Sequence, residues 1–247
     1  MNLASHQRDW DELARLDPCW AIVPAPGTRL GGWRLEEFLE TGRPDVDWLM
    51  RRAAQLGRPA HRRRALDFGC GVGRHARLLA EHFDRVVGVD VSEEMVRLAR
   101  HFGAGVDGLE FVVNPSERLT AFGDGEFDLV HSRLVLQHLP SEEAVLGYVG
   151  ELARVLSPGG LLFFQVPVAE ARRRRLQGRR RLYRALRRCG LSAGTLYRRL
   201  DLNPIRMTSV PAERIEDRLA AAGVEVIASE ASPVGDGYDS RAWWVGR

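Results

Sequence analysis

The sequence predicts an α/β fold, a mostly parallel sheet covered by helices on both faces. Three observations predict it. Short apolar runs alternate with helix-like stretches between residues 64 and 167, the pattern of strand–helix–strand units with buried strands. The first strand, Ala65 to Phe68, runs into three glycines at alternate positions, Gly69, Gly71 and Gly73. The second strand ends on an acid, Asp90, roughly 20 residues beyond that loop, where doubly wound nucleotide-binding folds keep the carboxylate for a ribose.

Residues 1–60 read as a helical cap. Asp9 to Leu16 is one helix, stopped by Pro18; Trp33 to Thr41 is a second, closed by Gly42; Val46 to Leu56 is a third, closed by Gly57. Trp20, Trp33, Phe38 and Trp48 make the segment aromatic. Residues 61–167 form the nucleotide-binding core. After the first strand a helix runs from Gly73 to Glu81. The second strand is Arg85 to Asp90. Ser92 is a good N-cap for the next helix, with Glu93 and Glu94 complementing its dipole. Leu109 to Val113 and Phe127 to His131 are the third and fourth strands. Ser141 caps a helix reaching about Leu156. Ser157-Pro158-Gly159-Gly160 turns the chain into a fifth strand, Leu161 to Val166. Residues 168–210 form an arginine-rich helical insertion. Residues 211–247 supply a helix, Glu213 to Ala222, and two closing strands, Val224 to Ser229 and Ala242 to Val245.

Composition narrows the class. A chain of 247 residues holds one complete α/β domain with additions. An apolar share of 45 % excludes wholesale disorder. No apolar run is long enough for a membrane span, and the first residues lack the apolar core of a secretion signal. Cys19, Cys70 and Cys189 are scattered, without metal-ligand spacing. A reduced, cytoplasmic protein without a structural metal is expected. All 36 basic residues are arginine, which points to a G+C-rich, bacterial genome.

The glycine loop discriminates between nucleotides. The dinucleotide fingerprint puts a third small residue where this chain has Arg74, so the loop is Gly-x-Gly-x-Gly. No Gly-Lys-Ser/Thr follows, which excludes a P-loop. Asp67, just before the loop, repels a pyrophosphate and attracts an ammonium. A nucleoside with a positively charged amino acid tail satisfies all of these points.

With these residues the sequence resembles the class I S-adenosylmethionine-dependent methyltransferases of the small-molecule type, such as the ubiquinone- and natural-product-pathway enzymes. Asp67 with the glycine loop is similar to their first motif and Val-Gly-Val-Asp90 to their second. Phe111-Val112-Val113-Asn114 resembles the third. Phe127-Asp128-Leu129-Val130 with Leu136-Gln137-His138-Leu139 resembles the fourth, and Leu152 to Gly160 the turn before the fifth strand. The resemblance implies a Rossmann-like sheet of seven strands, the last antiparallel and inserted beside the fifth. It implies S-adenosylmethionine as cofactor and S-adenosylhomocysteine as product. The N-terminal helices and the insertion would then cap an acceptor pocket. The backbone of Gly69, Cys70, Gly71 and Gly73 would cradle the amino acid tail, with Asp67 near its ammonium. Asp90 would accept both ribose hydroxyls. Val91 and Met95 would line the adenine slot, Asn114 or Ser116 would meet the exocyclic amine, and His131, Ser132 and Arg133 would flank the methionine portion.

Methyl transfer from a sulfonium is an in-line displacement that needs no enzyme nucleophile and no metal. A protonated acceptor needs a base, and histidine suits that role near neutral pH. His138, after the fourth strand, is the first candidate and His131 the second. The expected acceptor is an oxygen or nitrogen of a secondary metabolite or sugar.

Arg172 to Arg188 carries ten arginines and no acid; with a net charge of +3, the rest of the chain carries −7. Three readings stand side by side: a solvated helix face, a cap for an anionic acceptor or acidic carrier protein, and an RNA or membrane contact. Without stacking aromatics, nucleic acid is the least favoured partner. The rival functions are an RNA methyltransferase using this segment and a non-catalytic cofactor-binding regulator. The chain is expected to act as a monomer or homodimer.

Overall fold

The computed structural model describes residues 3–170, 177–232 and 238–247. Four helices come first: α1 (Leu3–Leu16), α2 (Pro18–Ile22), α3 (Leu35–Glu40) and α4 (Arg43–Gln55). Strands and helices then alternate through β1 (Arg64–Phe68), α5 (Arg74–Leu79), β2 (Arg85–Asp90), α6 (Glu93–Phe102), β3 (Leu109–Val113), β4 (Phe127–Ser132), α7 (Glu142–Arg154) and β5 (Leu156–Glu170). The chain closes with α8 (Gly178–Arg188), α9 (Ala193–Leu200), α10 (Ala212–Ala221), β6 (Glu225–Ala231) and β7 (Tyr238–Gly246). The seven strands form one sheet in the order β3-β2-β1-β4-β5-β7-β6. β1 to β5 pair in parallel. β7 is antiparallel to both β5 and β6, so the last strand inserts beside the fifth.

Strand periodicity divides the core. Ala65, Val86, Leu129, Phe163 and Trp244 face α4, α5 and α6. Their neighbours Leu66, Val87, Val130, Phe164 and Trp243 face α7 and α10. Adjacent, fully buried Trp243 and Trp244 thus serve opposite cores. A one-residue slip of β7 would exchange them, which fixes its register.

Several boundaries differ from the sequence reading. α1 begins at Leu3 rather than Asp9. Pro18 starts a helix instead of only ending one: Asp17 accepts a hydrogen bond from the Trp20 amide, and proline fits the first helical position because its missing N–H would be unpaired there. β5 begins at Leu156, pairing with Phe127 before a register shift, so the Ser157–Gly160 segment runs within the strand. Ser92 and Ser141 cap α6 and α7, accepting from Met95 N at 3.1 Å and Ala144 N at 3.2 Å.

The glycine loop is held by close approach. Gly69 has φ +75°, and a Cβ there would lie 2.2 Å from Val135 Cγ1, in the loop after β4. A Gly71 Cβ would lie 2.6 Å from Ile22 Cδ1, so α2 packs directly on the loop. Gly69→Ala combines a left-handed backbone with an overfilled contact. It is expected to lower stability by roughly 1–3 kcal/mol, read as a lower urea midpoint at unchanged slope.

The insertion folds back on the N-terminal helices. Arg187 Nη2 reaches Glu12 Oε1 at 2.6 Å, Tyr183 Oη donates to Glu12 Oε2 at 3.1 Å, and Arg184 pairs with Asp9 at 3.5 Å. Arg179 pairs with Asp201 at 2.7 Å. These four contacts tie arginines and a tyrosine of α8 to acids of this same chain. Arg179, Arg181 and Arg188 remain exposed, so the described part of the cluster is both a solvated face and an intramolecular anchor. Arg172 to Arg175 lie outside the described residues.

Candidate active site

A cavity of about 520 Å³ opens at the carboxyl ends of β1, β2 and β4. Its floor is the glycine loop, with Gly69, Cys70 and Gly71. Asp90, Val91 and Met95 stand on the β2 side with Asn114, and Leu3, His6 and Trp10 of α1 and Ile22 of α2 close it from above. Arg133, Leu134, Val135, Gln137 and His138 contribute the loop after β4.

On the β2 side the polar groups are already oriented. Asp90 Oδ2 accepts from Gly71 N at 2.9 Å and Oδ1 from Ser92 N at 2.9 Å. Burial raises its pKa to about 6, although the Ser92 and Gly71 amides oppose the rise. Asn114 Nδ2 donates to the Ser116 carbonyl at 2.9 Å and to Tyr148 Oη at 3.3 Å. Its amide protons are therefore occupied, and Oδ1 remains as the acceptor at the cavity wall.

Opposite, His138 Nδ1 lies 2.8 Å from the Arg206 carbonyl oxygen. A carbonyl only accepts, so Nδ1 carries the proton and Nε2 is bare in the neutral ring. Burial holds the His138 pKa below its ordinary value, with the Arg206 carbonyl opposing. Trp10 meets the ring edge-on at a centroid distance of 5.5 Å. His6, 6 % exposed, shares the cavity. Burial first, then His138 and the cations Arg206 and Arg180, push its pKa down to about 3.

Residues 66–164 match the family described as methyltransferase domain. This stretch is a class I S-adenosylmethionine-dependent methyltransferase domain. Among relatives, the ubiquinone biosynthesis O-methyltransferase of Bordetella avium is 32 % identical over 159 residues, covering 64 % of this chain and 55 % of that protein. The 2-methyl-6-phytyl-1,4-hydroquinone methyltransferase of Synechocystis is 37 % identical over 98 residues, 39 % of this chain and 30 % of that one. The chain spans about half the length of the curated relatives it matches. Among solved structures, magnesium protoporphyrin IX methyltransferase from Synechocystis, with bound SAH, superposes with a TM-score of 0.63 at 21 % identity over 100 % of both chains. That likeness establishes the fold.

Within the methyltransferase domain, nine residues expected at the site line the cavity: Gly69, Cys70, Gly71, Asp90, Val91, Met95, Asn114, Arg133 and His138. Gly73, Asp67, Ser116, His131 and Ser132 do not. Gly73 instead sits at the start of α5 with φ +85°, where a Cβ would lie 2.7 Å from Phe111. Asp67 shares the parity of Ala65, so its side chain points beneath α4 and α5. Its register partner in β4 is His131. Asp67 Oδ1 and His131 Nδ1 meet at 2.8 Å, both side chains about 97–98 % buried. Burial is the largest single effect on Asp67 and opposes its ionisation, yet the hydrogen bond and charge interaction with His131, joined by His75 and Arg74, together outweigh it and the pKa is lowered. His131 is therefore a partner of Asp67, set behind the cavity wall. Ser116 spends its hydroxyl on Arg118 N at 3.2 Å, and Ser132 is fully buried.

Beside that pair, Asp45 gathers three cationic or imidazole groups. His75 Nε2 lies at 3.2 Å, Arg133 Nη2 at 3.2 Å and Arg74 Nη1 at 3.4 Å. These groups hold the Asp45 pKa down to about 2 against the opposing effect of burial, and burial lowers His75 to about 4. Ligand atoms of Asp67, His75 and His131 lie within 4.8 Å of one another. The Asp67–His131 hydrogen bond and the two guanidiniums on Asp45 disfavour a cation there. Arg133, expected beside the methionine portion, lines the cavity, whereas His6, Trp10 and Arg74 were not expected there. α1 carries no motif that could have announced His6 or Trp10.

Proposed function

We propose that this protein transfers the methyl group of S-adenosylmethionine to an acidic hydroxyl of a small, largely apolar acceptor. The observation that carries this reading is a single cavity with a fixed Asp90 carboxylate at one end and the bare Nε2 of His138 at the other. Asp90 accepts the ribose hydroxyls, Val91 and Met95 flank the adenine, and Asn114 Oδ1 accepts from its exocyclic amine. Arg133, expected beside the methionine portion, and Arg74, which was not, receive the carboxylate of the amino acid tail. Asp67 acts from behind, holding His131.

The reaction is assigned to positioning. Holding the acceptor oxygen in line with the methyl supplies up to ~7–11 kcal/mol. The acceptor proton passes to His138 Nε2, and the sulfur keeps the electron pair of the broken C–S bond. A buried histidine with a lowered pKa is a weak base. It suits a phenol-like hydroxyl, ordinarily near pKa ~10, better than an aliphatic alcohol. Trp10, Ile205, Met207 and Leu139 give the acceptor end an aromatic and aliphatic wall.

The test is incubation with methyl-labelled S-adenosylmethionine and a library of hydroxylated metabolites, read by mass spectrometry. Label in a phenolic product supports the reading; label retained in the cofactor across the library, with the cofactor bound, overturns it. Arg133→Ala is expected to weaken S-adenosylhomocysteine binding by about 1.5–3 kcal/mol, the range for a hydrogen bond to a charged group, measured by calorimetry.

A further inference from the structure

Gln137, only 3 % exposed, lines the cavity beside the base. Its Nε2 lies 3.4 Å from His138 Nε2. Because His138 Nδ1 is protonated toward the Arg206 carbonyl, the bare Nε2 needs a donor, and the Gln137 amide N–H must be the end that faces it. Gln137 Oε1 is then left fully buried without a hydrogen-bond partner among the described residues. Such an orphan acceptor is costly at rest and asks for an explanation.

We propose that Gln137 is a turning amide, a positioning residue that donates its N–H to the neutral His138 ring at rest, gives up that bond when the acceptor hydroxyl takes its place at Nε2, and presents Oε1 to the ring once Nε2 has taken the acceptor's proton. The inference rests on the reading of His138 as the base. As the acceptor O–H bond breaks, an N–H bond forms at Nε2, and the same nitrogen changes from acceptor to donor. The amide N–H that matched it now opposes it, and a half-turn of the side-chain amide brings the orphan oxygen to the new proton. The imidazolium leaves the cycle with both N–H groups satisfied, one on the Arg206 carbonyl and one on Gln137.

The other titratable or charged groups around the ring are His6 and Asp9 of α1, Arg206, and Arg180 of α8. His6 stays neutral until about pH 3, and the guanidiniums stay charged, so neither mimics a His138 titration.

The test is nuclear magnetic resonance of the full chain with ¹⁵N-labelled histidine and glutamine, which needs no acceptor. In the wild type, His138 is expected as the Nδ1–H tautomer, and the Gln137 side-chain amide resonances are expected to move with the His138 midpoint. Gln137→Glu places a carboxylate beside Nε2 and should raise that midpoint by about one unit or more. Gln137→Met removes the acceptor and should lower it by a few tenths of a unit. The Gln137→Glu rise reports only that the side chain faces Nε2; a residue that merely fills space would leave the Gln137→Met midpoint fixed. A wild-type amide indifferent to His138 protonation, or a Gln137→Met midpoint that superimposes on the wild type, overturns the proposal. An Nε2–H tautomer overturns the base assignment itself, which separates the two failures. If either variant fails to fold, the wild-type titration decides alone.

Discussion

Asp90→Ala is expected to abolish measurable S-adenosylhomocysteine binding by calorimetry. The carboxylate acts twice. It accepts from Gly71 N and Ser92 N, fixing the glycine loop against the start of α6. In the proposed function it also offers lone pairs to both ribose hydroxyls. Two hydrogen bonds to a charged acceptor amount to roughly 3–6 kcal/mol at 1.5–3 each, two to four orders of magnitude in affinity. Near-unchanged affinity would refute the assignment. The same group sets a pH dependence. Its pKa is raised to about 6 by burial, so acidification through that value protonates it and weakens cofactor binding. The sign for folding is opposite: burying the charged form costs stability in full above about 6, and the cost fades as pH falls toward the ordinary 3.8. Affinity and this group's contribution to stability should therefore diverge on either side of pH 6.

His138→Asn is expected to lower kcat by about 10²–10⁴, the usual range for loss of a general base, with S-adenosylhomocysteine affinity within about twofold of wild type. The substitution removes the ring nitrogen that faces the acceptor end, some distance from the Asp90 carboxylate. Equal losses in kcat and in cofactor affinity would make His138 a brace of the loop. Unchanged turnover would remove it from the chemistry.

The fold was legible because its signals are local. Alternating apolar runs, the serines at 92 and 141, and the glycines between β1 and α5 each carry a conformational preference within a few residues. The β1–β2 side of the cavity was legible for the same reason: Asp90, Val91 and Met95 follow one strand end, and Gly69 and Gly71 follow another. Asp67 does not line the cavity, because side-chain parity rather than proximity in sequence to the loop sets where it points. Counting by twos from Ala65 puts it on the α4–α5 face, opposite His131. The acceptor half was largely hidden. His6 and Trp10 arrive from a helix whose docking over the sheet is set by packing and by ion pairs with α8, and no periodicity in α1 distinguishes a cavity residue from a core residue. Pro18 follows the end of α1 as expected and also opens α2, because the Asp17 carboxylate just before it caps the second helix.

Asp17 also governs how the roof behaves. Its buried carboxylate receives the Leu30 amide at 2.6 Å, the Gly31 amide at 3.2 Å and the Tyr197 hydroxyl at 2.9 Å, besides capping α2. One acid thereby rivets three separate stretches of chain into a single plate. The seam between that plate and the strands is apolar, with Ile22 resting on Gly71. Loss of the Asp17 carboxylate is therefore expected to loosen all three stretches together and, through Ile22, the cover of the glycine loop.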